Sequence, residues 1–293
     1  MIVYILLAIL LLLVLTFAFI LARDVIAHKE EPKVRPYWFS GLTGFVANFF
    51  DTLGIGSFGI ITSVFKVAKA VDDKLIPGTL NVANAIPTAV QALIFIIIVK
   101  VETVTLVSLI ASATVGAWLG AGIVSKLSRR KIQIVMGAAL AVTAILMTAS
   151  MLGFIEGHGS ATGLTGGKLI AGIIGNFVLG IFMTAGIGLY APCMAMLYLL
   201  GLSPLVIFPI MMGSCAFLMP VAGVKFIKEG QYARKPAAAI AIMGCFGVLL
   251  AAYIVTSLDL DVLKIVVIAV VLYTSGMMLY SARKEATDAN TSR

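Results

Sequence analysis

Apolar residues fill this chain in blocks of about twenty, the length a helix needs to cross a bilayer core of roughly 30 Å. Seven blocks fit one span each: 2–22, 78–99, 103–125, 132–152, 206–227, 237–256 and 264–281. The first block has no basic residue before it, and Arg23 follows it. A secretory signal has the reverse order. The block therefore reads as a retained first helix with its N-terminus outside.

Two apolar stretches do not fit one span. One runs from Trp38 to about Ala68, the other from Leu169 to Leu200. As single straight helices they would be about 45 Å long, too long for the core. Each has a glycine cluster at its centre: Thr52-Leu53-Gly54-Ile55-Gly56 in the first and Thr184-Ala185-Gly186-Ile187-Gly188 in the second. Pro192 follows the second cluster. Such clusters break helices, so each stretch is expected to form two half-helices around a broken centre.

Composition confirms the class. Hydrophobic residues make up 61% and charged residues 12%, against roughly 45–50% and about 25% in soluble domains. Soluble enzymes, disordered chains and disulfide scaffolds are excluded. Charge then orients the spans. Cytoplasmic loops carry the excess of Lys and Arg. If both broken stretches return to the side they left, eighteen of the 21 basic residues fall on one side. If both cross, thirteen do. The sequence therefore favours two re-entrant hairpins, an outside N-terminus and a cytoplasmic C-terminus in a multi-pass cell-membrane protein.

The two breaks also match each other. At an offset of 132, Phe45-Val46 falls on Phe177-Val178, Phe50 on Phe182, Thr52 on Thr184, and Gly54-Ile55-Gly56 on Gly186-Ile187-Gly188. The expected organisation is an extra N-terminal helix and loop (1–37), repeat 1 (38–152), an extracellular linker (153–166), repeat 2 (167–282) and a cytoplasmic tail (283–293). A hairpin plus three spans crosses an odd number of times, so the second repeat is inverted relative to the first. The fold class is thus all-α and multi-span, with two inverted-topology repeats. Broken helices meeting at a repeat interface are characteristic of secondary transporters.

With this layout, and with the segment Leu75-Ile76-Pro77-Gly78-Thr79-Leu80-Asn81-Val82-Ala83-Asn84 after the first break, the chain resembles the TauE/SafE family of sulfite exporter-like permeases. The resemblance spans about residues 38–281. It implies transport of a small sulfur-containing anion, sulfite or an organosulfonate such as sulfoacetate.

Candidate site residues follow from the residues themselves. A half-helix starting inside the membrane offers unpaired N–H groups and a positive dipole end, which suit an oxyanion. Gly54, Gly56, Gly186 and Gly188 let the backbone approach, and Thr52, Ser57 and Thr184 add hydroxyls. Asn81, Asn84, Thr88 and Gln91 form a polar stripe at helical spacing. Substrate binding is assigned to these residues, foremost Thr52, Gly54, Gly56, Ser57, Asn81, Asn84, Thr184, Gly186 and Gly188. Asp51, the acid set deep in an apolar stretch, reads either as a proton-coupling site or as a cap on the second half-helix. No metal or cofactor is expected, and no nucleic-acid partner; the partners are the anion and the lipid bilayer. An enzyme is not expected. An intramembrane aspartyl protease needs a second carboxylate, no HExxH occurs, and Cys193, Cys215 and Cys245 form no pair in sequence. A permease for another small metabolite and a non-transporting scaffold are the competing readings.

Overall fold

A computed structural model describes residues 2–28, 36–72, 74–120, 159–184 and 188–257, with scattered helical positions between 134 and 152 and between 262 and 283. The expected spans 132–152 and 264–281 therefore lie mostly outside the described residues. The described elements are α1 (Ile2–Ala27), α2 (Tyr37–Thr52), α3 (Ser57–Ala68), α4 (Ile76–Ile98), α5 (Thr103–Gly120), α6 (Gly166–Thr184), α7 (Tyr190–Leu199), α8 (Pro204–Lys228) and α9 (Arg234–Ser257). Five of them, α1, α4, α6, α8 and α9, are long and apolar enough to cross a membrane. The chain is an all-helical, multi-pass membrane protein.

Both long stretches are broken where their glycine clusters fall. The first divides into α2 and α3 around residues 53–56. Gly54 and Gly56 there take φ of 97° and 89°, a region that residues with a Cβ rarely enter. The second divides into α6 and α7.

Close contacts set the directions of the helices. The start of α4 meets the end of α8, where a Cβ on Gly78 would fall on the Gln231 carbonyl and beside Phe226. Further along, Gly213 of α8 packs on Ile96 of α4 and Ile110 of α5. These two central helices are thus antiparallel. α2 runs parallel to α9, with Gly41 against Met243, Gly44 against Ile240, and Asn48 against Gly244. α5 runs parallel to α6, with Leu109 against Gly172 and Gly180 against Ala113. Small residues let these backbones meet where lipid offers no hydrophobic drive for association.

The chain ends of these elements gather at two opposite ends of the bundle. At one end the start of α2 lies beside the start of α9, with Lys235 over the Tyr37 ring. There too, Asp24 of α1 accepts from Tyr232 at 2.6 Å and Arg234 at 2.7 Å, and Thr79 accepts from Ala233 N–H. At the other end Thr105 of α5 accepts from Leu164 N–H, just before α6. Ala161 bonds to Gly201 and Ser203, just before α8.

Glu102 caps α5 at this second end, accepting from Val104 N–H, Thr105 N–H and the Thr105 hydroxyl. The Thr105 hydroxyl and these N–H groups hold its carboxyl below the usual carboxylate range. The cap is therefore in force at neutral pH, and it is lost as pH falls through that lowered value. Glu102→Ala is expected to cost about 1 kcal/mol. It should lower the melting temperature of the detergent-purified protein at pH 7, and by less once pH is low enough to protonate the wild-type residue.

Candidate functional site

The first break places a carboxylate at a helix start. Asp51 is on the last turn of α2, and the chain turns at Gly54, whose N–H bonds the Asp51 carbonyl at 2.9 Å. This turn brings Asp51 Oδ1 to the backbone N–H of Ser57, the first residue of α3. Asp51 therefore caps α3, and the positive end of that half-helix is held by the chain's own carboxylate. Its other oxygen, Oδ2, accepts from Gln91 Nε2 at 2.9 Å. The same Nε2 donates to Thr52 Oγ1 at 3.0 Å. Gln91 Oε1 accepts from the Tyr190 hydroxyl.

One hydrogen-bonded chain thus joins α2, α3, α4 and α7. Asp51, Thr52, Ser57 and Gln91 come from the first broken stretch and the helix after it. Tyr190 is the first residue of α7 in the second. All five are nearly or fully buried. Such a network is costly unless its members are paired, and here Asp51 and both ends of the Gln91 amide are.

The rest of the α4 stripe continues the polar surface. Asn84 Oδ1 accepts from Asn48 Nδ2 at 2.9 Å. Asn81, one turn nearer the start of α4, donates to the Pro77 carbonyl and is not hydrogen-bonded into the Asp51 cluster. Among the described residues, four buried oxygens are left without a close hydrogen-bond partner: Asn48 Oδ1, Ser57 Oγ, Asn81 Oδ1 and Thr88 Oγ1. Unpaired buried polar atoms are rare in folded proteins, and those in polar cavities bind waters or ligands.

The hydroxyls assigned from sequence fare unequally. Thr52 spends its proton on the Asn48 carbonyl, and Thr184 spends its own on Ile181. The Ser57 hydroxyl donates to no carbonyl and lies beside the Asp51 carboxylate. Gly56 beside it has nothing within 4 Å of the place a Cβ would take. The two breaks also approach each other. A Cβ on Gly54 would lie 3.0 Å from Met194 of α7, and one on Gly188 would lie 3.9 Å from Phe58 of α3. Gly186 lies outside the described residues.

A second buried cluster stands on the α6–α8 side. Asn176 donates to the Leu109 carbonyl at 2.7 Å and to Ser214 Oγ at 2.9 Å. Its Oδ1 faces the Cys193 thiol, and Cys215 lies 3.4 Å from the Met183 sulfur. Among the described residues, no three His, Cys, Asp or Glu side chains come together.

Asn48, Asn176 and Tyr190 escape the motif reading. The two asparagines were visible as polar residues within apolar half-helices. Tyr190 was visible as a polar-tipped ring two residues past the second glycine pair.

The comparisons with known proteins agree with this architecture. A family description, sulfite exporter TauE/SafE, matches residues 1–147 and 169–293. The chain belongs to the TauE/SafE family. No curated protein and no solved structure matches it. TauE/SafE is a family of membrane transporters of small anions, and the buried network at the breaks of this chain belongs to a member of it.

Proposed function

We propose that this protein is a secondary transporter that carries sulfite or an organosulfonate such as sulfoacetate out across the cytoplasmic membrane by alternating access, with proton coupling through Asp51. The observation that carries the reading is the Asp51 carboxylate on the first N–H of α3. An anion seeking that helix start meets a negative charge. Protonating Asp51 removes the repulsion at that helix start, so the anion and the proton travel together. The substrate cradle comprises Thr52, Gly54, Gly56, Ser57, Thr184, Gly186 and Gly188, with Asn81 and Asn84 lining the approach along α4.

The inverted-repeat reading (38–152 and 167–282) draws support from exchanged packing. The first half-helix of each repeat lies along a helix of the other, α2 on α9 and α6 on α5, while α4 and α8 pair centrally. The re-entrant reading draws support from where the ends gather. Tyr37 and the start of α4 share one end of the bundle. Leu164 and the start of α8 share the other. Exchanging the conformations of two such units converts an inward opening to an outward one. By its basic loops the first end is cytoplasmic, with the N-terminus outside and the C-terminus inside.

The test is flux of labelled sulfite and sulfoacetate in proteoliposomes holding the purified protein. Saturable flux, with each anion competing against the other, is the expected result. It should accelerate when the compartment holding the anion is made more acidic. No flux above empty liposomes would end the substrate reading. Within the cradle, Ser57→Ala is expected to raise the half-saturating concentration about fivefold, the worth of one hydrogen bond near 1 kcal/mol. Thr52→Val should change it less, since the Thr52 proton is already engaged.

A further inference from the structure

We infer that Gln91 and Tyr190 form a relay that reports the protonation of Asp51, in the first broken stretch, to the start of α7 in the second. The inference rests on the proton-coupling reading and assigns residues to its transmission. Gln91 bonds both partners, donating to Asp51 Oδ2 and accepting from Tyr190, whose hydroxyl also lies beside Asp51. An amide has a donor end and an acceptor end, so its orientation is set by what it faces. The observed orientation fits an ionised Asp51, which accepts at both oxygens.

Protonation reverses that fit. Asp51 Oδ1 is held by the Ser57 N–H, so an added proton resides on Oδ2. Two donors would then face each other at Gln91 Nε2. Rotating the amide half a turn about its Cγ–Cδ bond removes the conflict: Oε1 now accepts from Asp51 and from Thr52, whose hydroxyl turns from the Asn48 carbonyl, and Nε2 donates to the Tyr190 oxygen. The Tyr190 proton must then find another acceptor. Thr88, one turn before Gln91 on α4, lies beside the Tyr190 hydroxyl. Its Oγ1 is buried and engaged by no other residue. One proton enters at Asp51, none leaves, and the amide and the Thr52 and Tyr190 hydroxyls reorient. The polarity of the bond tying α4 to the start of α7 is thereby inverted.

The groups facing Asp51 permit this. They are Ser57 from α3, Gln91 from α4, Tyr190 from α7 and the Cys215 thiol from α8, with Thr52 of α2 sharing the Gln91 donor. On the α9 side the neighbouring surface is Gly244, against Asn48. Among the described residues no ion pair involves Asp51. The only charge change is therefore its own.

Infrared difference spectra during a pH titration of the protein in lipid nanodiscs test the relay. The carboxylic-acid band lost in Asp51→Asn belongs to Asp51, and the tyrosine C–O band lost in Tyr190→Phe belongs to Tyr190. Ring-deuterated tyrosine assigns the second band in the unaltered chain should that variant fail to fold. The expected result is a shift of the Tyr190 band with the same midpoint as the Asp51 band. The shift should vanish in Asp51→Asn and shrink in Thr88→Val. A Tyr190 band that stays fixed while Asp51 titrates overturns the relay; proton coupling stands if gradient-driven flux persists. A shared midpoint with flux indifferent to the pH gradient supports the relay and removes the coupling reading. No Asp51 band at any pH overturns both.

Discussion

Asp51→Asn is expected to abolish the acceleration of anion flux by a pH gradient while anion exchange between the two compartments continues. The substitution keeps the shape of the side chain and removes its charge. The oxygen of the new amide can still accept from Ser57 N–H, so the turn at Gly54 and the start of α3 keep their cap. Its NH2 group then faces Gln91, as the acid proton of Asp51 would, and the site is fixed in its protonated form. Two unit charges about 6 Å apart repel by about 3 kcal/mol at an effective dielectric near 20. That is roughly a hundredfold in affinity. At neutral pH the variant should therefore bind the anion tighter than the wild type, by tenfold or more, and lose the pH dependence of binding. Flux with and without an imposed gradient, together with half-saturation at two pH values, checks both halves. Acceleration that survives in Asp51→Asn would show that the proton enters elsewhere and that Asp51 is a helix cap alone.

The sequence made the breaks legible because their cause is local. Gly54 and Gly56 need positive φ, and no partner elsewhere in the chain is required to see it. The buried stripe of Asn81, Asn84, Thr88 and Gln91 was legible for the same reason, since one helix's periodicity places all four on one face. Ala113 and Gly116 are small residues on one face of α5, and α6 is the helix they meet. What sequence could not supply was pairing across distance. Gln91 is 40 residues from Asp51 and 99 from Tyr190. No spacing rule predicts which residue of the polar stripe meets which end of the chain. The choice for Asp51 was open for a related reason. Capping α3 depends on how sharply the chain turns through residues 53–56, which the glycines permit without fixing. The distribution of free hydroxyls followed from backbone geometry as well. Thr52 and Thr184 sit in the last turns of helices and bond back to the carbonyls four and three residues earlier, whereas Ser57 begins one and has no carbonyl behind it.

Gly116→Ala and Gly180→Ala are expected to be among the most damaging single-methyl additions in this chain. A Cβ on Gly116 would lie 2.1 Å from the Phe177 carbonyl oxygen, and one on Gly180 would lie 2.1 Å from the Ala113 carbonyl oxygen. Each glycine thus faces the backbone of the other helix, and a backbone carbonyl cannot swing aside as a side chain can. Relief requires α5 and α6 to separate along their common length, which also pulls Asn176 from the Leu109 carbonyl. Overpacking of this kind costs typically 1–3 kcal/mol, and the backbone contact argues for the upper end. The exchanged partner pair has the same construction, with a Cβ on Gly247 of α9 lying 2.2 Å from the Phe45 carbonyl oxygen of α2. Gly247→Ala should therefore cost a similar amount. Gly59→Ala is the control. Its Cβ would meet only the end of Met277 at 3.5 Å, and alanine favours the helix by up to about 1 kcal/mol. Melting temperatures of the four variants in one detergent give the comparison. Three losses of similar size beside an unchanged or raised value at Gly59 are expected. An unaffected Gly116→Ala would mean that α5 and α6 do not cross this closely in the bilayer. The packing that supports two exchanged repeats would then hold on one side only.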